Sequence, residues 1–294
     1  MTPNANLIDV RQRGRERVIG CWDLGGVLID PGPESRLETL LEGIGEEPRA
    51  LLLTHIHLDH AGAAGALVER FPDLEVWVHA RGAPHLVDPT RLLRSAERIY
   101  GDEMEPLWGR VAPVPEQNLR VLEGGETIAV DGRRLDVEYT PGHASHHVVY
   151  FDHSDGTAYV GDVAGVRIPP SSFVRPPTPP PDIDVEAWER SIDTVAARAP
   201  AQLALTHFGA VEEPAPHLEQ TKQRLREQAE LVRRMLAEHG DTEEAALEFV
   251  AETERRTRES SDFETAAVFE VGAPVEQLWL GLRRYWQKRE AGES

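Results

Sequence analysis

Apolar residues recur along this chain in three regimes, and each predicts a different kind of structure. Up to about residue 118, short apolar runs at 18–21, 27–30, 50–54 and 75–78 have strand character and alternate with helix-period stretches at 35–42 and 62–70. That order predicts an α/β domain. From 119 to 161 the pattern shifts to closely spaced strands, RVLEGG, TIAVDG, LDVEYTPG, HVVYFD and TAYVGD, with glycine-bearing turns between most of them. A helix at 185–197 and the short run QLALTH follow. After Pro216 helical spacing takes over: Leu218, Leu225 and Val232 repeat every seven residues, and Met235 and Leu236 complete the stripe. Gly240 reads as a C-cap, Asp241 with Glu244 as a capping pair for a second helix, and Pro274 as the opening of a third. In that third helix Val275, Leu278, Trp279, Leu282 and Trp286 share one face, which reads as core, although such stripes also admit a homodimer contact. The expected division is 1–210 for the α/β domain and 211–294 for a helical extension.

One segment fits none of these regimes. Residues 169–181 hold seven prolines in thirteen positions, which excludes a helix or a central strand and predicts an extended, stiff loop. Starting seven residues after Asp162, it serves either as a linker or as a wall of a site.

Composition narrows the class. The 294 residues allow about two domains at roughly 150 residues each. With 40% hydrophobic and 28% charged residues, and no apolar run near the roughly 18 residues of a membrane span, a globular protein without membrane helices is expected. Acidic residues outnumber basic ones 51 to 31, a formal net charge of -20 that repels polyphosphate and argues against a nucleic-acid partner. The basic clusters at 11–17 and 255–258 contain or adjoin glutamates and read as solvated faces. The single cysteine, Cys21, excludes an internal disulfide and reads as a buried strand residue. That is compatible with a reducing compartment, and the first residues lack the apolar stretch of a secretory leader, so a cytoplasmic setting is expected.

The chemistry concentrates in THIHLDHAG, which follows a strand-like run. His55 and His57 alternate onto the same side of an extended chain, and the turn after them brings round Asp59 and His60, enough for two neighbouring metal positions. Imidazole and carboxylate suit zinc, iron, manganese or cobalt, and the absence of nearby cysteine argues against a closed structural zinc site. His143 in YTPGHASHH, Asp162 in AYVGDVAG and His207 in LALTHFG each follow a strand-like run too, where loops at one sheet edge converge.

This ordered set, T-H-x-H-x-D-H, T-P-G-H, G-D and a final histidine over roughly residues 18–209, resembles the metallo-β-lactamase superfamily in its hydrolase branch related to glyoxalase II. The resemblance implies a four-layer αβ/βα sandwich, here with a helical C-terminal extension, and a two-metal site at its edge. By that match His55, His57 and His143 hold one divalent ion; Asp59, His60 and His207 hold the other; and Asp162 bridges them. Zinc is the first expectation, with iron or manganese as alternatives. Such an ion pair lowers the pKa of a bridging water to give hydroxide near neutral pH. Asp59 then orients the nucleophile and passes its proton to the leaving group. Asp30 matches a family strand-end aspartate and is placed either behind the ligands or as a turn cap. Thr54 and Thr206 precede ligand histidines and are candidates for hydrogen bonds behind them. His147 stands where relatives carry a second histidine, with His146 in place of their usual glycine; both read as structural or as supports for the ligands. His79, His85, His153, His217 and His239 carry no ligand pattern.

Gly165 stands where superfamily lactonases carry a tyrosine, the glutathione-binding basic residues of glyoxalase II are not matched, and the added domain of the nucleases is absent. GDVAGVRIP, the proline-rich loop and LTHFG are similar to a bacterial and archaeal subgroup of general metallo-hydrolases. The expectation is a dinuclear hydrolase of an ester, thioester or similar small molecule, with neither nucleic acid nor membrane as partner. Phe173 and Arg175 are expected to meet the substrate, Arg175 by pairing with an anionic group. Two alternatives remain: an iron oxidoreductase resembling persulfide dioxygenases, using His55, His143 and Asp162, and a binding module with structural metals. The second is disfavoured because structural sites are closed four-ligand cages.

Overall fold

The computed structural model describes residues 5–292; residues 1–4 and 293–294, the outer ends of the two expected segments, lie outside the described residues. Two six-stranded sheets form its centre. The first contains, in spatial order, β1 (Asn6–Asp9), β2 (Gly20–Asp23), β3 (Val27–Ile29), β4 (Ala50–Leu52), β5 (Glu75–His79) and β6 (Leu119–Leu122). Strands β3 to β6 run parallel, and β1 and β2 are antiparallel additions at one edge. The second sheet comprises β7 (Thr127–Val130), β8 (Arg133–Tyr139), β9 (Val148–Asp152), β10 (Thr157–Tyr159), β11 (Gln202–Leu205) and β12 (Gly209–Val211), in the spatial order β12-β11-β10-β9-β8-β7. Only β10 and β11 pair parallel there, joined through α7 (Val185–Ala197).

The continuous apolar runs of the sequence have a physical cause: β2, β3, β4, β9 and β10 are buried on both faces. In β4, Ala50 and Leu52 join Trp22, Ile29, Val137 and Tyr150 in the core between the sheets, while Leu51 and the following Leu53 belong to the core beneath the helices. Helices α1 (Leu37–Gly43), α2 (Leu58–Ala61), α3 (Ala64–Arg70), α4 (Ala83–Val87), α5 (Thr90–Tyr100) and α6 (Met104–Trp108) belong to the first half. The result is a four-layer α/β sandwich. Cys21 is fully buried in β2, as its strand context predicted.

The C-terminal region has four helices, not three: α8 (Pro214–His239), α9 (Glu243–Ser260), α10 (Phe263–Gly272) and α11 (Val275–Glu290). The unexpected one, α10, reads FETAAVFEVG; its apolar residues surround the axis, so it offers no one-sided stripe to detect. Asp262 caps it by accepting a hydrogen bond from the Thr265 amide at 2.8 Å. Gly240 closes α8 at φ 71° as expected, but α9 is capped by Thr242 rather than Asp241. Asp241 pairs instead with Arg283 of α11, at 3.1 Å. The α8 stripe Leu218, Leu225, Val232 and Met235 is buried within the chain, in one core with Trp188 of α7 and Leu278, Trp279 and Leu282 of α11. The face that admitted a dimer contact is thus covered by the chain itself. No helix among the described residues is long and apolar enough to cross a membrane.

One buried imidazole fastens α8 to the loop after β10. His217 Nε2 donates to the Ala164 carbonyl at 2.8 Å, and Thr221 Oγ1 donates to the same oxygen at 3.0 Å. Burial pushes the His217 imidazole down to about 4 from an ordinary 6.5. The unfolded chain therefore binds the extra proton first as pH falls. Stability from this residue is complete above about pH 6.5 and is lost progressively down to about pH 4, by roughly 3 kcal/mol. Denaturant melts of metal-free protein between pH 7 and 4 should show that loss shrink in His217→Gln; an identical pH slope in both proteins would refute it.

Candidate metal centre

The site forms where strand ends of both sheets meet. The loop after β4 leads into α2 and carries His55, His57, Asp59 and His60; the β8–β9 connection carries His143; the turn after β10 carries Asp162; and the β11–β12 turn carries His207. Two groups of donor atoms result: His55, His57, His143 and Asp162, and Asp59, His60 and His207. Asp162 touches both. Its Oδ2 lies 3.2 Å from His143 Nε2 and 3.9 Å from His55 Nε2, and its Oδ1 lies 3.4 Å from His60 Nε2 and 3.6 Å from His207 Nε2. His207 Nε2 is 3.3 Å from Asp59 Oδ2.

The imidazoles are oriented from behind. His60 Nδ1 donates to Asp30 Oδ2 at 2.7 Å, His143 Nδ1 to the Pro177 carbonyl at 2.9 Å, and His207 Nδ1 to the Val18 carbonyl at 2.5 Å. His55 Nδ1 donates to Thr54 Oγ1 at 3.1 Å, whose own proton goes to Asp30 Oδ2 at 2.7 Å. Each of these four rings therefore turns a bare Nε2 into the site. The 3.3 Å between His60 Nε2 and His207 Nε2 puts two lone-pair atoms face to face, and His57 Nδ1 lies 3.0 Å from both His55 Nε2 and His143 Nε2, so at most one of those two contacts can carry a proton. A cation between them resolves that conflict, and ligand atoms about 2.0–2.1 Å from one tetrahedral ion sit about 3.3 Å apart. The buried Asp162 Oδ1, which has no hydrogen-bond partner, points the same way. The residues present fit a pair of divalent ions.

The electrostatics agree. Burial pushes His55 far below its ordinary pKa and His143 down to about 4, so both are neutral donors. Burial also opposes ionisation of Asp162, but His60, His143 and His207 outweigh it and hold the carboxyl well below its usual range. Asp59 responds in the same way, through His60 and His207 against burial, and falls to about 2. Burial disfavours a charged His60, yet Asp162, Asp59 and Asp30 raise its pKa well above normal. The carboxylates call for positive charge at this point, which a proton or a metal ion supplies.

Of the two roles open to Asp30, the structure shows the one behind the donor atoms. Fully buried at φ 51°, a left-handed conformation that aspartate tolerates, it accepts from the Thr54 amide at 2.8 Å and from Thr206 Oγ1 at 2.9 Å, besides His60 and Thr54 Oγ1. Thr54 and Thr206 are thus fixed in this network. His147 is also buried: its Nε2 accepts from the Asp162 amide at 3.2 Å and its Nδ1 donates to Thr140 Oγ1 at 2.8 Å. Gly161 is required beside it, because at φ 47° a Cβ would stand 2.4 Å from Thr54 Oγ1 and 2.8 Å from His147 Nε2. His146 lines the cavity instead and stacks on His55 with ring centroids 6.2 Å apart.

The loop residues expected to meet substrate, Phe173 and Arg175, do not line the cavity at the metal centre. Arg175 is 1% exposed, and its guanidinium donates to the Phe269 and Ala273 carbonyls at 3.2 and 2.8 Å, Glu270 Oε1 at 2.8 Å and Thr257 Oγ1 at 2.6 Å. It joins the proline-rich loop to α9 and α10. Phe173 is turned the same way, edge-on to Phe269 at 5.6 Å with the Arg224 guanidinium 5.2 Å above its ring. A sequence cannot show that four helices cover this loop. Arg175→Met should cost about 3 kcal/mol by leaving buried carbonyls unpaired, lowering the melting temperature by several degrees; an unchanged melt would refute the role.

The metal centre lies at the bottom of a cavity of about 550 Å³. Its walls include Leu92, Tyr100 and Trp108 from the α5–α6 segment, for which the apolar runs predict no element, and Pro274, Gln277 and Leu278 from the start of α11. The two sides meet where Tyr100 Oη donates to Gln277 Oε1 at 3.3 Å. The helical spacing of Leu92, Ala96 and Ile99, with Arg91, Arg94 and Arg98 on other faces, is the signal that marks α5. Part of the proline-rich segment, Pro177 and Pro179–Pro181, does form part of the wall.

Comparison with known proteins accords with this geometry. The metallo-beta-lactamase fold-containing protein ST1585 of Sulfurisphaera tokodaii is 29% identical over 194 residues, covering 65% of this chain and 71% of that protein. The hydroxyacylglutathione hydrolase GloC of Haemophilus influenzae is 31% identical over 145 residues, covering 48% of this chain and 63% of that one, so the chain spans under two thirds of this relative. Among solved structures, ST1585 from Sulfolobus tokodaii superposes with a TM-score of 0.70 at 22% identity over 95% of this chain and 98% of that one. The metallo-beta-lactamase family protein TTHA1429 from Thermus thermophilus gives 0.66 at 20% identity over 99% and 94%. Both carry the fold across nearly the whole chain, including its C-terminal helices. The sequence profile of the family itself matches from Asp23, at the end of β2, to His207, the last of the seven converging donor residues, and the chain belongs to the metallo-beta-lactamase superfamily.

Proposed function

We propose that this chain is a dinuclear metal-dependent hydrolase of an ester, thioester or similar small molecule. The observation that carries the reading is the pair of donor groups with Asp162 reaching from the first to His60 and His207 of the second, its buried Oδ1 without a hydrogen-bond partner. His55, His57 and His143 would hold one ion, Asp59, His60 and His207 the other, with Asp162 between them. Bound there, divalent ions lower the pKa of water and polarise a carbonyl or phosphoryl oxygen. The chain's own residues supply position and proton transfer. Asp30, Thr54 and His147 keep the donors oriented. Asp59 lies in the cavity wall with its side chain 24% exposed, placed to take the proton of the attacking water and deliver it to the leaving group. The relatives named hydroxyacylglutathione hydrolases support acyl transfer to water as the reaction class.

A mononuclear iron site would need only His55, His143 and Asp162, and it leaves the convergence of Asp59, His60 and His207 unexplained. Elemental analysis of protein purified without added metal tests the choice. Nearly two equivalents of zinc or manganese per chain, with hydrolysis of some ester or thioester in a screen, is the expected result. One equivalent of iron with oxygen uptake on a persulfide would overturn it.

A further inference from the structure

The cavity wall above the metal centre divides by chemistry. One part is apolar: Leu58, Ala96 and Trp108 form a small core of their own, separate from the two main ones, with Leu92, Tyr100 and Leu107 packed against it. Opposite stand Pro274 and Leu278 of α11. These residues line the cavity, and Leu92 and Leu278 also pack into the core beneath the helices. The charged part is asymmetric. Beyond the metal centre, two of its acidic groups are paired with arginines, Glu103 with Arg13 at 2.7 Å and Glu270 with Arg175 at 2.8 Å, while Asp182 accepts, among the described residues, only from the neutral Ser145 Oγ at 2.6 Å. Arg81 and Arg91, exposed in the wall, have no ion-pair partner among the described residues; Arg81 rests 5.6 Å over the Tyr139 ring. In a chain of net charge -20, two arginines outside any ion pair, against the single unpaired carboxylate of Asp182, leave this wall net positive beside an apolar cavity and mark a place for an anion.

We propose that the substrate is an anionic amphiphile, an ester or thioester whose hydrocarbon part lies along Leu92, Trp108 and Leu278 and whose negative end is held by Arg81 and Arg91. This rests on the hydrolase reading for the statement that the bound molecule reacts. Water adds to the acyl carbon, the C–O or C–S bond breaks, and the proton goes to the leaving oxygen or sulfur.

Binding can be read without turnover. Hexyl, octyl and decyl sulfate, each below its micelle concentration, are titrated calorimetrically into metal-stripped and metal-loaded protein, with octanol and octyltrimethylammonium as controls. The expected result is a Kd that falls about fourfold per added methylene. Octyltrimethylammonium should bind at least tenfold more weakly than octyl sulfate. The Arg81→Ala/Arg91→Ala double variant, at exposed positions that leave folding intact, should weaken octyl sulfate about tenfold or more and leave octanol unchanged. Leu92→Asp should weaken both. Chain-length-independent binding, equal affinity for the cationic control, or an unaffected double variant would each overturn the proposal. Chain-length-dependent anion binding together with no hydrolysis of any ester or thioester would overturn the hydrolase reading alone.

Discussion

Asp162→Ala should abolish turnover and lower metal content from about two equivalents per chain to one or none. The effect is expected to exceed the roughly 10–100-fold loss that follows removal of an outer partner, because Asp162 contributes one oxygen to each donor group. It is also the carboxylate whose charge offsets three nearby imidazoles. The fold should persist, since the hydrogen bond that fixes this turn runs from the residue-162 backbone amide to His147 Nε2 and survives truncation of the side chain. Metal content by elemental analysis, with circular dichroism as a folding control, decides the matter. Full metal occupancy with undiminished hydrolysis would remove Asp162 from the centre.

Asp30→Ala should be the most damaging change outside the donor set itself. Four groups lose their acceptor in a fully buried place: the Thr54 amide, the Thr54 and Thr206 hydroxyls and His60 Nδ1. Unpaired buried donors of this kind cost about 1–3 kcal/mol each, but part of the network can re-pair, so a loss of about 3–5 kcal/mol is expected. Metal binding should suffer unequally. His60 is held by Asp30 directly, whereas His55 is held only through Thr54 Oγ1, so the group containing Asp59, His60 and His207 should lose about 10–100-fold in affinity and the other group less. Stepwise zinc titration with a competing chelator reads both sites. Equal losses, or none, would show that Asp30 is not what orients His60.

Both predictions involve contacts between residues far apart in the chain, which marks the boundary of what could be read beforehand. The strand runs, the four ligand-type residues of THIHLDHAG and the order of His143, Asp162 and His207 behind them are local facts of spacing, and they were enough for the family and the sandwich. Buried parallel strands must be apolar on both faces, and metal-binding side chains must alternate or turn in fixed steps, so each leaves a short-range mark. Arg175 leaves no such mark. An arginine in a proline-rich loop looks the same in sequence whether it faces a substrate or the carbonyl ends of a helix, and here α9 and α10, some 80 to 100 positions away, decide. The same holds for α10, too evenly apolar to show a face, and for α11, whose stripe read as core or as a dimer contact although Leu278 also borders the cavity.

By itself, then, the sequence determined most of the strand runs, the donor set and the chemistry those donors favour, because these depend on side-chain type and on spacings of a few residues. The tertiary structure alone decided that Asp30 stands behind His60, that the C-terminal helices and α5 wall the cavity, and which arginines there are drawn into ion pairs. Those outcomes depend on which distant surfaces exclude water from one another, and burial of that kind is a property of the packed chain and not of any segment.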